Sequence, residues 1–337
     1  SSARERYERN FSGSDSVLNQ WKANYNAALN SNLQIKDGTA FIFVNDLLKL
    51  KAVGYLVDVK RGDVLVVETA NLSLETKIFV DIFPQTSSSE NQKSQLTENG
   101  KFQKVAEESG FYKVVIQPEI AFQNNFQLKI YTQPSLGFPV AGKGNRDVQS
   151  FWGASRDGGG RSHEGVDIFA KRGTPVVAVT DGFVTRTGNQ GLGGKQVWQR
   201  DGLLGNSYYY AHLDSIMTTD GKNLKTGDTV GTVGNTGNAA GGATHLHFGI
   251  YSSGGAVDPY PFIKKRDVPA YLSALNDFKK TKLKAGTDIK ITPDAKSETL
   301  FTLKEEAETG VKSMFTSWVH IQLSDGREGF VLKNRFK

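Results

Sequence analysis

Apolar positions in this 337-residue chain fall into distinct textures. In "SVLNQWKANYNAALNSN", Leu18, Trp21, Tyr25 and Leu29 recur every three or four residues, which lays an apolar stripe along one helix face. Residues 1–34 are therefore expected to form a helical N-terminal segment. From 35 to 138 apolar and polar positions alternate in short runs, such as "AVGYLVDVKRGDVLVVETANLSLETKIFVDIFP", broken by turn residues. This pattern predicts an antiparallel β-sandwich. Between 139 and 265 glycine becomes dense, and four of the five histidines fall there. "DVPAYLSALNDF" puts Val268, Tyr271, Leu272 and Leu275 on one face and predicts a helical linker over 266–282. Small strands return in 283–337, with "SDGREG" as a hairpin turn. The expected fold class is mainly β and multi-domain.

Composition narrows the chemistry. The formal charge of +6 is mild, and no cationic cluster interleaves with aromatics, so nucleic acid is not an expected partner. Cysteine is absent, which excludes disulfides, thiolate metal sites and cysteine nucleophiles. No apolar run reaches the roughly 20 residues that span a bilayer. The chain starts at Ser1 without Met, so membrane anchoring is expected only through a removed export signal or lipid anchor.

The histidines carry the sharpest signal. In "GGATHLHFGIY", His245 and His247 are two apart on a strand, so they share a face at roughly 6–7 Å. In "GRSHEGVDIFA", His163 and Asp167 are four apart in a stretch whose glycine and β-branched residues disfavour a helix. A straight strand would hold them roughly 13 Å apart, so a bend at Gly165 is expected to bring them together. Two imidazoles and a carboxylate make a three-ligand zinc set with one position left open. His212 ends the aromatic strand "NSYYYAHLDS", where alternation places it on the face of Tyr210. His320, in "SWVHIQLSDG", stands apart and reads as structural.

"HEGVD" and "HLHFG" resemble the H-x-G-x-D and H-x-H signatures of the M23 zinc metallopeptidases, the lysostaphin- and LytM-like group. "GTPVVAVTDGFVTRTG", "YYYAHLD" and "VDPYPFI" follow in that family's order, and the resemblance covers 148–263. It implies a LytM-type antiparallel β-sheet domain over 139–265 that hydrolyses peptide cross-links of peptidoglycan with zinc. By the same resemblance His163, Asp167 and His247 ligate the metal. His245 and His212 then flank the reacting water and the scissile carbonyl, with His245 favoured as base. Glu164 reads as solvent-facing and Arg161 as a surface residue. The intact set argues against the alternative of a catalytically silent wall-binding or amidase-activating protein; a zinc protease of glycine-rich proteins such as elastin is the other alternative. Residues 283–337 resemble a bacterial SH3-like barrel, with Phe330 where tryptophan is usual. The 35–138 sandwich resembles domains that precede the peptidase in Bacteroidota-like envelope proteins. The expected setting is the cell envelope, periplasmic or outer-membrane associated, or the exterior. The expected cross-link is of the D-Ala–diaminopimelate type. Oligomeric state is left open.

Overall fold

The computed structural model describes every residue except 46–48, 71–74, 87–94, 98–99 and 274–277. It is mainly β, and its contacts outline two compact units: residues 1–132 with 267–337, and residues 133–266. Among the described residues no helix is long and apolar enough to cross a membrane.

In the first unit the predicted helix is Asp15–Leu29, capped by the Ser14 hydroxyl, and its stripe buries Trp21, whose indole N–H donates to the Pro118 carbonyl at 3.0 Å. A second helix, Ala3–Asn10, has no apolar stripe in sequence and is set by a capping box between Ser2 and Glu5. A four-stranded sheet runs Val53–Val59, Gly110–Pro118, Ile78–Pro84, Gln95–Thr97. It shares one core with a larger sheet, in which Phe41, Phe43, Leu65 and Phe126 meet Val53, Tyr55 and Val57.

That larger sheet departs from the expected division of 35–138 and 283–337 into separate domains. Thr39–Phe43 pairs on one edge with Phe126–Pro134 and on the other with Ala307–Met314, in register Ile42↔Met314. The strand is apolar on both faces, with Phe41, Ile42 and Phe43 all buried, so the C-terminal strands complete its environment. Phe330, fully buried, packs in the sandwich core beside Tyr55 and Phe315. The expected helical linker is absent over 266–273 and 278–282; its part in 274–277 lies outside the described residues. Pro269 has no amide proton to give a helix. The carbonyls of Pro269 and Leu272 instead accept from the side chains of Lys129 and Gln127.

The second unit is built on one large antiparallel sheet, with a separate two-stranded hairpin, Ser155–Arg156 and Arg161–Ser162. The order of the large sheet is Asn223–Leu224, Gly182–Gln190, Gly194–Arg200, Ser207–Ile216, His245–Ser252, Val166–Phe169, Val148–Ser150, with Pro175–Val177, Thr229–Val233 and Gly255–Val257 attached. Leu246, Phe248 and Ile250 alternate into a core with Val166, Ile168, Tyr208 and Tyr210. The intervening positions, His245 and His247, therefore lie on the opposite face.

A candidate metal centre in an open groove

Register assembles the site. Asp167 pairs with His247 and Phe169 with His245 across adjacent strands, while Ala211 pairs with His247 on the other side. His163 enters from the loop before Val166, where the chain bends at Gly165. That bend does not use a left-handed backbone, since Gly165 is not among the positive-φ glycines. Glycine is needed for space: a Cβ there would lie 2.6 Å from the Phe248 carbonyl oxygen and 2.7 Å from the His247 ring.

Three candidate ligand atoms converge. His163 Nε2 is 3.1 Å from Asp167 Oδ1 and 3.0 Å from His247 Nδ1, and His247 Nδ1 is 3.1 Å from Asp167 Oδ1. His163 donates its Nδ1 proton to the Phe151 carbonyl at 2.9 Å, which leaves Nε2 as the lone-pair atom of the neutral ring. Lone pairs of a nitrogen and a carboxylate oxygen thus face one another in a buried place. A cation among them resolves that conflict, and two imidazoles with one carboxylate suit zinc's ligand preferences. Burial would raise the Asp167 carboxyl, and only positive charge or donated protons set against it would bring it below the usual carboxylate range. Burial lowers His247, keeping it neutral and able to ligate.

Two further histidines border this triangle. His212 does not share the face of Tyr210 as alternation predicts. Tyr210 is in the core, whereas Tyr209, Ala211 and His212 line the groove. The reason is a β-bulge: between the pairs Val197↔Tyr210 and Lys195↔Leu213, two residues oppose one. His212 takes the extra place with φ +60°, a left-handed conformation uncommon outside glycine. Its amide donates to the Gly193 carbonyl and its Nδ1 to the Thr236 carbonyl, both at 2.8 Å. Burial pushes His212 down to about 4, so its free Nε2 is unprotonated at neutral pH. His245 donates Nδ1 to the Ala243 carbonyl at 2.9 Å, packs on Phe169, and brings Nε2 to 3.9 Å from Asp167 Oδ1. The His212 and His245 ring centres are 5.0 Å apart.

The groove has a volume of about 640 Å³, with Tyr209, Tyr251 and Leu192 among its apolar walls and Arg156, Arg161 and Glu164 among its charged ones. Residues 161–259 match the model of peptidase family M23. This stretch is an M23 peptidase domain.

An L-Ala–D-Glu endopeptidase of Bacillus subtilis (strain 168) is 35% identical over 152 residues, covering 40% of this chain and 46% of the relative. The glycyl-glycine endopeptidase ALE-1 of Staphylococcus capitis is 37% identical over 112 residues, covering 31% and 30%. A DD-carboxypeptidase/endopeptidase Mpg of Neisseria meningitidis serogroup B (strain ATCC BAA-335 / MC58) is 38% identical over 99 residues, covering 29% and 22%. The chain thus spans less than half the length of each.

All five histidine and aspartate positions singled out from sequence in this domain line the one groove. His320 belongs to the other unit, buried between Tyr55 and Glu328. Glu164 and Arg161 are exposed at the rim, with Arg161 Nε on Asp157 at 2.8 Å. The residues that sequence reasoning passed over lie just outside the M23 match: Ser150, the Phe151 carbonyl and Arg156. No spacing rule ties Arg156 to Asp167, eleven positions on; "SRDGGGRS" shows only a turn.

Proposed function

We propose that this protein is a zinc metalloendopeptidase that hydrolyses peptide cross-links of bacterial peptidoglycan, in the cell envelope or outside the cell. The observation that carries the reading is the meeting of three atoms able to ligate a metal, His163 Nε2, Asp167 Oδ1 and His247 Nδ1, at 3.0–3.1 Å on the floor of an open groove. These three residues would hold the ion, which when bound polarises a peptide carbonyl and brings the pKa of water to roughly 7.

The remaining work falls to His245 and His212. Each has its Nδ1 proton fixed on a backbone carbonyl, so each offers an unprotonated Nε2. We assign the proton of the attacking water to His245 Nε2, which lies 3.9 Å from Asp167 Oδ1 at the edge of the triangle. The leaving nitrogen takes up the proton that His245 has accepted, and His212, kept unprotonated by burial, offers its Nε2 as an acceptor beside the water. Tyr209 stacks on Trp198 at 4.4 Å and stands edge-on to His247, a wall that limits water on that side.

The relatives are named for three different bonds at similar identity, so relatedness does not choose the cross-link. The mildly basic chain, with Arg161 exposed on the groove wall, favours a substrate with free carboxylates, such as the direct D-Ala–diaminopimelate link, over pentaglycine. Incubation with directly cross-linked muropeptide dimers and with pentaglycine, each with a chelator control, tests both levels. Dimer cleavage that the chelator stops is expected. Cleavage of pentaglycine alone reverses the specificity, and chelator-resistant cleavage removes the metal.

A further inference from the structure

We infer that Arg156 is a positioning residue that fixes Asp167 as a one-oxygen ligand and, through Ser150, ties Asp167 and His163 to a common support. The inference rests on the metal-centre reading above. Asp167 turns Oδ1 to the two imidazole nitrogens and Oδ2 to Arg156 Nη2 at 2.8 Å. The same Nη2 donates to Ser150 Oγ at 2.6 Å, and Ser150 Oγ lies 3.3 Å from His163 Nδ1. Ser150 is also the strand partner of Asp167. One guanidinium group thus backs both ligands from behind.

The local fold makes this support stiff. Arg156 lies on the short strand Ser155–Arg156, paired with Arg161–Ser162, and Ser162 directly precedes His163. The turn between them holds Asp157, Gly158 and Gly159 at positive φ, so the hairpin is closed tightly. The Arg156–Asp167 pair is partly shielded, with side-chain exposures of 30% and 10%. A carboxylate whose second oxygen is occupied cannot swing to a two-oxygen mode, and the chain need not order it when the ion arrives. Both bonds leave one nitrogen, Nη2; lysine keeps the charge and the donors, but its side chain ends one bond short of that position.

The test uses the full chain as wild type, Arg156→Ala, Arg156→Lys and Ser150→Ala. Zinc affinity is measured by competition with a chromophoric chelator, and site geometry by the visible bands of the cobalt(II) form. Metal-free melting curves establish that each variant folds. Arg156→Ala should bind zinc about 10- to 100-fold more weakly and shift the cobalt bands, with Arg156→Lys and Ser150→Ala between it and wild type. Equal affinity and an unchanged cobalt spectrum in Arg156→Ala overturn the inference, as does a loss of activity confined to KM, which would make Arg156 a substrate contact. A wild-type chain that takes up no zinc overturns the metal centre itself, and this inference with it.

Discussion

Each compact unit sets a carboxylate against histidine in a shielded place, and the two clusters differ in what their lone pairs meet. Around Glu328, donors and acceptors alternate. Its Oε1 accepts from His320 Nε2 at 2.9 Å and from Lys312 Nζ at 2.8 Å, while His320 Nδ1 meets the Tyr55 hydroxyl at 2.7 Å. Every group is answered, and the network joins strands from both ends of the chain. Around Asp167 the donors have been turned outward to the carbonyls of Phe151, Thr236 and Ala243, leaving acceptors facing one another across the groove. The same residue types therefore build a closed structural core in one case and a receptive site in the other. The backbone carbonyls behind the rings, more than the histidines themselves, make that difference.

Substitutions can break this contrast in order of expected effect. Asp167→Ala or His247→Ala should take both metal and activity to background by elemental analysis and peptide hydrolysis, whereas His320→Ala should keep the full metal content. Full zinc occupancy in the first two would show the ligand set to be wrong. His245→Ala and His212→Ala should retain zinc yet lose about 100-fold or more in turnover, the cost of a missing acid or base; near-normal turnover removes that residue from the proposed mechanism. In the closed cluster, Glu328→Gln should leave catalysis intact but cost about 3 kcal/mol, because Lys312 and His320 lose a buried partner. A melting temperature equal to wild type would show the network to be dispensable.

The smallest effect is on acid stability. Burial would raise the Glu328 carboxyl, but His320 and Lys312 outweigh it and hold it at about 2, below its ordinary 4.5. A depressed carboxyl contributes stability above its unfolded pKa and loses it as pH falls from about 4.5 toward 2. Glu328→Gln should flatten that limb of an acid-unfolding curve, and an unchanged limb would assign it to other carboxylates.

The residues that converge in the groove were legible because they are local: i, i+2 on a strand and i, i+4 across a bend are visible in a string of letters. The mainly β texture was legible for the same reason, from alternation and turn residues. What escaped depends on partners far along the chain. Thr39–Phe43 gives no sign that its second edge belongs to Ala307–Met314, because hydrogen-bond register leaves no composition behind. The stripe Val268–Leu275 imitates a helix, yet the carbonyls of Pro269 and Leu272 are taken by side chains of another strand. His212 was placed by alternation on the wrong face, since a bulge shifts the phase without any glycine to announce it.

That bulge has a consequence for how such a site can be gained or lost. Before it, Tyr208 and Tyr210 point into the core; after it, Leu213 does, and without His212 these three would follow a single unbroken alternation. The histidine is one residue more than the sheet requires, so removing its codon would restore a regular strand and leave the core sequence whole. The scaffold and this groove histidine are thus separable by a one-codon change in the gene, in either direction.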